Sequence, residues 1–295
     1  MDRKALPYIG ALGLAWGSNL VISRFGIGQF EPLVWITLRL VIAVAAFTAF
    51  YTFSPNRQWP RNPQLWLYAA IVGVFATAVP LMGFVFALEV QSAGLTGLLA
   101  TTAPAITVVV AHFLLAEARL NWPTVIGVVV ALSGAVLIIT LGETGLPDVT
   151  EANPIGALLL FVALLCEALA AAFIRQRMQG MDAFDVTSVR LLAALVVVTP
   201  LTLWQHELDF AQVNVAGWGA LLFAALVSTF VAQMLAFYVT RTFGTTAFAI
   251  VGYIAPMVAI IGGVLFLGET ITLGMLAGMV LIVSGIFIVN RRRTI

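Results

Sequence analysis

The chain has 295 residues, of which 62% are hydrophobic and 9% charged, and its formal net charge is +1. A soluble domain runs near half apolar and a quarter charged. This chain lacks the polar side chains to cover a water-facing surface, so lipid is the solvent that fits. The near-zero charge excludes a global field for nucleic acid, and the single cysteine, Cys166, excludes an intrachain disulfide and a cysteine metal site.

Segments of about 20 apolar residues are long enough to cross ~30 Å of hydrocarbon at a rise of 1.5 Å per residue. Arg3 and Lys4 open the first such segment. It reads as a retained first span rather than a cleaved signal, because further spans follow and it fits the repeat described below. In chain order the spans are expected near 5–23, 32–53, 65–87, 92–115, 122–141, 154–174, 184–204, 216–238, 244–267 and 272–290. The connections, such as Ser54-Pro55-Asn56-Arg57 and Leu120-Asn121-Trp122-Pro123, are too short for a soluble domain. The fold class expected is an all-α polytopic membrane protein of ten transmembrane helices.

With the N-terminus inside, the inner side holds Arg3, Lys4, Arg57, Arg61, Arg119, Arg175, Arg177, Arg241, Arg291, Arg292 and Arg293, against Arg24 alone outside. That asymmetry is the positive-inside pattern and places both termini in the cytoplasm, which an even number of spans also requires.

The chain repeats itself. Ala103-Pro104 precedes Leu114-Leu115-Ala116-Glu117 as Ala255-Pro256 precedes Phe266-Leu267-Gly268-Glu269, with each Glu thirteen residues after its Pro. Gly127 and Ser133-Gly134 match Gly278 and Ser284-Gly285, while Arg24/Arg39 and Arg175/Arg190 are both fifteen apart. The expected halves are 1–144 and 145–295, each holding five spans. Five is odd, so the second copy enters the bilayer inverted, an architecture common among secondary transporters.

These paired Pro…(Leu/Phe)-Leu-(Ala/Gly)-Glu motifs, Trp16-Gly17-Ser18-Asn19 in the first span and the repeated arginines resemble the EamA family of the drug/metabolite transporter superfamily. The resemblance covers essentially the whole chain. It implies ten helices around a central cavity lined from both halves, and ATP-independent export or import of amino acids, sugars, nucleotide-linked compounds or other small metabolites. The chain departs from the usual pattern at Glu89, where a basic residue is common, and at Glu167, which stands where the first repeat has Trp16.

Candidate site residues follow from depth. Pro104 and Pro256 lie mid-span, and each deprives a carbonyl of its helical partner, at Ala100 and Gly252. In hydrocarbon such a carbonyl needs another partner or a polar cavity, so the two prolines are expected to mark helix breaks at the midplane. Thr101, Thr102 and Tyr253 supply hydroxyls at that depth. Glu167 lies thirteen positions into its span, where a charged carboxylate costs on the order of 2.5–3.5 kcal/mol. It must be paired, solvated or protonated, which makes it the candidate for proton coupling. Trp16, its repeat-mate, is expected to face it across the cavity, with Ser18 and Asn19 nearby. Arg39 and Arg190 have stems long enough to snorkel. If they pair with the repeat glutamates, inversion allows only Arg39 with Glu269 and Arg190 with Glu117. His112 is expected as an interfacial or packed residue, and the Gly13/Gly17 and Gly274/Gly278 pairs allow close helix approach within the chain.

No Gly-x-x-x-x-Gly-Lys-Ser/Thr, His-Glu-x-x-His or Gly-x-Ser-x-Gly occurs. The expected protein is therefore not an enzyme and uses no cofactor, metal or ATP. It is a secondary transporter of small, amphipathic, amino-acid-like metabolites in the bacterial inner membrane, an exporter or exchanger acting as a monomer, with dimerisation left open. A lipid or lipid-linked-substrate flippase is the alternative. A groove open sideways to the bilayer would favour the flippase, and a closed-sided polar chamber the metabolite carrier.

Overall fold

The computed structural model describes residues 3–54, 57–115, 120–147, 149, 153–205 and 210–290. Among these every regular element is helical. Nine helices are long and apolar enough to cross a membrane: α1 (Leu6–Gly26), α2 (Pro32–Phe53), α3 (Pro63–Val90), α4 (Ala93–Leu114), α5 (Trp122–Thr140), α6 (Pro154–Arg177), α7 (Ala183–Trp204), α8 (Val215–Gly244) and α9 (Ile250–Leu267). The tenth, α10 (Leu273–Val289), is shorter and as apolar. The chain is a multi-pass membrane protein by length and composition of its helices.

Local chemistry sets the helix starts. Asn62, Asn121, Asn153 and Asn214 each cap a helix by accepting a backbone N–H two or three residues on, and Pro63, Pro123 and Pro154 sit in the first turn, where no N–H is needed. Between α8 and α9 the backbone hydrogen bonding continues, but Gly244 adopts φ 84°, ψ 171°, a conformation that favours glycine and that divides the two spans.

The loops gather at two ends. At the far end, away from the N-terminus, the Ser92 amide donates to the Thr144 carbonyl and the Thr270 amide to the Gly145 carbonyl. There the Asn214 amide also donates to Gln29 Oε1 at 3.1 Å. At the near end Arg57 pairs with Asp182 at 3.0 Å and Asp185 at 3.6 Å, and Gln176 donates to the Leu114 carbonyl.

Helix neighbours come in matched sets. Helix α1 packs on α9 and α6 on α4; α1 also meets α8, and α6 meets α3; α7 packs on α3 and α2 on α8. The pairs α2–α7, α4–α9 and α5–α10 complete the bundle. Small residues make the closest approaches. A Cβ on Gly127 would lie 2.7 Å from the Gly285 carbonyl oxygen, and one on Gly134 2.7 Å from that of Gly278, so two glycine pairs zip α5 to α10. Gly13 and Gly17 likewise admit Ile254, Ala255 and Val258 of α9 against α1. The Gly274/Gly278 pair also faces this chain's own residues, Glu143 and Ile138.

Helices α3 and α8 each contain a π-helical segment, Val74–Ala78 and Phe223–Val231. Neither was anticipated from the sequence. π-Turns inside α-helices are frequent at functional sites.

Candidate functional site

The two mid-span prolines differ. At Pro104 helix α4 is interrupted by a turn at Thr101 and Thr102, and Pro104 enters the second segment in its first turn. The Thr101 hydroxyl donates to the Leu98 carbonyl at 2.6 Å and the Thr102 hydroxyl to that of Leu99 at 2.7 Å, each alongside the same residue's backbone amide, and together they tighten the turn. Pro256 instead lies inside α9, which is helical without a turn from Ile250 to Leu267. The positions equivalent to Thr101 and Thr102 hold Tyr253 and Ile254, neither of which has the short hydroxyl that bonds back to its own helix at Thr101 and Thr102. A Cβ on Gly97 would lie 3.5 Å from Pro256 Cα, 3.1 Å from Ala259 Cβ and 3.2 Å from Leu20 Cδ1, so α1, α4 and α9 meet at this level.

On α1, Trp16 is partly buried, edge-on to Phe248 with centroids 5.7 Å apart. Ser18 spends its hydroxyl on its own helix, donating to the Leu14 carbonyl at 2.6 Å. Asn19 Oδ1 is buried without a hydrogen-bond partner, and so is Ser23 Oγ one turn further on. Most buried polar atoms are paired, so each such orphan calls for an explanation such as a ligand or a second conformation. On α6, Glu167 is partly buried and interacts electrostatically with Arg190 of α7. Helix α1 packs on α9, whereas α6 packs on α3 and α4, so Trp16 and Glu167 stand on helices with different neighbours. Tyr253 is 39% exposed.

The arginines take partners that the motif spacing did not indicate. Arg39 is buried, and its Nε–H donates to Thr229 Oγ1 at 2.7 Å. Glu269, only 6% exposed, uses both oxygens on the start of α4: the Ala93 N–H at 2.7 Å and the Gly94 N–H at 3.0 Å. Arg39 and Glu269 are thus committed elsewhere, because a buried helix start offers the carboxylate two orphan donors. Glu117 lies outside the described residues, as do Arg119 and Arg291 to Arg293. Thr77 and Thr229 were missed in the sequence. The signal for them was the offset of 152 that relates them, which also relates Asn62 to Asn214 and Pro104 to Pro256.

Burial pushes the Glu269 carboxyl above its ordinary range, although the Gly94 and Ala93 N–H groups and the charge of Arg24 pull it down. At the near end, burial of Asp182 is outweighed by hydrogen bonds from Arg57 and two backbone N–H groups, and its carboxyl is held below the usual range. Two described cavities open at the far end. One of about 500 Å³ is lined by Arg24, Gln29, Pro147 and Glu269 among others, and one of about 390 Å³ by Gln91, Leu99, Glu143 and Asn153 among others. No group of three or more metal-ligating side chains occurs among the described residues.

Comparison with known proteins gives the family. The model of the EamA-like transporter family matches twice, over residues 3–140 and 154–291. The uncharacterized inner membrane transporter YedA of Escherichia coli (strain K12) is 25% identical over 276 residues, covering 92% of this chain and 86% of that protein. The uncharacterized transporter YoaV of Bacillus subtilis (strain 168) is 25% identical over 285 residues, 96% of each chain. A probable amino-acid metabolite efflux pump of Salmonella typhimurium (strain LT2) is 24% identical, covering 93% of this chain and 91% of that protein. A solved crystal structure superposes over 100% of both chains with a TM-score of 0.64 at 18% identity, a likeness of fold. With both halves matched, the chain belongs to the EamA-like transporter family.

Proposed function

We propose that this chain is a secondary transporter of the bacterial inner membrane that exports or exchanges small amphipathic, amino-acid-like metabolites by alternating access. In this reading residues 1–144 and 145–295 are two inverted five-helix repeats, both termini are cytoplasmic, and the carrier works as a monomer without ATP, cofactor or metal. The substrate binds at the midplane between Trp16, Ser18, Asn19, Thr101, Thr102, Glu167 and Tyr253, with the Pro104 and Pro256 segments beside it, and Glu167 carries the coupled proton.

The observation that carries the reading is the double family match across both halves. Three others support it. The neighbour sets are those expected of a twofold exchanging α1–α5 with α6–α10. The basic residues cluster on one side. Asn19 Oδ1 is buried without a protein partner, as a polar group reserved for a solute would be. The efflux activity in the name of the Salmonella relative agrees with export.

Counterflow in proteoliposomes, run against a metabolite panel with and without a pH gradient, tests it. Counterflow of an amino-acid-like solute is expected, with the pH dependence lost in Glu167→Gln. A Glu167→Gln protein of normal rate and unchanged pH dependence would remove the coupling role. Lipid scrambling without solute counterflow would replace the reading with a flippase.

A further inference from the structure

The two π segments stand at equivalent places in the halves, and each carries a threonine, Thr77 and Thr229, 152 residues apart. Arg39 and Arg190, 151 apart, stand at equivalent places on α2 and α7. Their neighbours correspond as well: α2 packs on the π segment of α8, and α7 packs on that of α3. A Cβ on Gly73, one turn before Thr77, would touch the Arg190 carbonyl oxygen at 2.5 Å, so Thr77 and Arg190 occupy adjoining faces.

The chemistry of the two places differs. Arg39 Nε–H donates to Thr229 Oγ1 at 2.7 Å, and that hydroxyl in turn donates to the Ala224 carbonyl five residues back at 2.8 Å. In the other half both atoms are unsatisfied: Arg190 Nε and Thr77 Oγ1 are buried with no hydrogen-bond partner. One member of a matched pair of bonds is made, and the donor and acceptor of the other are present, buried and apart. A buried unpaired guanidinium N–H and hydroxyl cost free energy, which in this conformation the interaction of Arg190 with Glu167 offsets on the arginine side and nothing offsets at the Thr77 hydroxyl.

One other matched polar contact is made in both halves. Thr37 and Thr202 share a hydrogen bond at 2.7 Å toward the far end of α2 and α7, and their counterparts Ser188 and Tyr51 share one at 3.0 Å toward the near end. The α2–α7 pair is therefore tied at both ends, and the asymmetry lies where each helix meets the opposite half's π segment.

We propose that Arg39–Thr229 and Arg190–Thr77 are the two arms of a reciprocal latch, of which one closes as the other opens when the carrier changes conformation. In the present conformation the buried contact between the loops of the two halves is at the far end, Glu269 to Ala93 and Gly94, whereas the near-end contacts of Arg57 with Asp182 and of Gln176 with Leu114 are part-buried or exposed. Arg39 lies in the far half of α2, so its arm holds α2 to α8 while that end is joined. Arg190 lies in the near half of α7 and holds α7 to α3 when the near end becomes the buried one instead. The π turns supply the slack: an extra residue per turn lets each threonine move in and out of reach without breaking the surrounding α-helix. The inference rests on the alternating-access reading, but its test needs no substrate.

Hydrogen exchange measured by mass spectrometry on full-length protein in nanodiscs, for wild type, Thr229→Val and Thr77→Val, reads both ends. The far-end probe is the Ala93–Gly94 amides, and the near-end probe is the last turn of α4 at Leu114–Leu115. Valine preserves shape and removes the hydroxyl. Thr229→Val is expected to speed far-end exchange and slow near-end exchange, and Thr77→Val to do the reverse. Each change is about tenfold or more, from the loss of one hydrogen bond to a charged group. Serine at either position should restore wild-type rates, which separates the hydroxyl's role from misfolding. Shifts of the same sign in both valine variants, or none, would overturn the latch. Failure of solute counterflow alongside opposite-signed exchange would overturn the transport reading and leave the latch standing.

Discussion

Replacing Glu269 by alanine isolates one of the contacts that join the halves at the far end. The carboxylate accepts the Ala93 N–H at 2.7 Å and the Gly94 N–H at 3.0 Å, while Ser92 Oγ accepts the Leu95 N–H at 2.9 Å. These are the first donors of α4, which have no partner within the helix. Alanine leaves two buried donors unsatisfied, each costing about 1–3 kcal/mol, so with partial relaxation the loss is about 2–4 kcal/mol. If local opening governs exchange, the Ala93 and Gly94 amides should exchange about 30- to 700-fold faster, whereas Leu95, capped by Ser92, should change less. Glu269→Gln keeps one acceptor oxygen and should fall between. Unchanged protection at Ala93 and Gly94 in Glu269→Ala would refute the reasoning. The pH dependence has a definite sign. The folded carboxyl titrates above its unfolded value, so the folded state binds the proton more tightly. The contribution to stability is then greatest below the ordinary carboxylate range and falls as pH rises through the elevated folded value. Glu269→Gln should lack that slope in a thermal melt followed against pH.

The Arg57–Asp182 pair has side chains 35% and 36% exposed, so a double-mutant cycle on thermal stability should give a coupling below about 1 kcal/mol. Because the Asp182 carboxyl is held low, this contribution is present above the ordinary carboxylate range and disappears as pH falls through the lowered value. Gly134→Ala should destabilise by about 1–3 kcal/mol, since its Cβ would sit 2.7 Å from the Gly278 oxygen and 2.9 Å from Leu281 and Ile282. Gly10→Ala, with nothing within 4 Å of the added Cβ, should be neutral or stabilise α1 by up to about 1 kcal/mol. Melting in detergent separates the two, and equal shifts would show that the α5–α10 approach is not close.

Much of the fold was legible because hydropathy is a local property. The expected span 32–53 and the helix Pro32–Phe53 coincide, and 92–115 differs from Ala93–Leu114 by one residue at each end. The largest departures are where the eighth and ninth spans meet: the eighth, expected to end at 238, runs on to Gly244, whose positive φ turns the chain, and the ninth, expected from 244, spans Ile250–Leu267. The membership in a transporter family was likewise carried by short motifs at fixed spacing, from Trp16 to Glu269.

What tertiary structure decided is which atoms meet. Arg39 and Glu269 are opposite charges that inversion would bring to one side, yet Arg39 bonds Thr229 and Glu269 caps α4. Pairing depends on the rotation of each helix about its own axis and on its depth relative to its neighbours, and neither is written in spacing along the chain. The two prolines make the same point, since Pro104 opens a second helical segment after a turn that threonine hydroxyls bridge, and Pro256 lies within the continuous helix α9. The apolar pattern alone determined that this chain lies in a membrane as a bundle of helices. The π turns, the glycine contacts of α5 with α10 and the unequal arginine bonds arose only from packing, where each backbone polar group and each side chain must find its partner among groups distant in sequence.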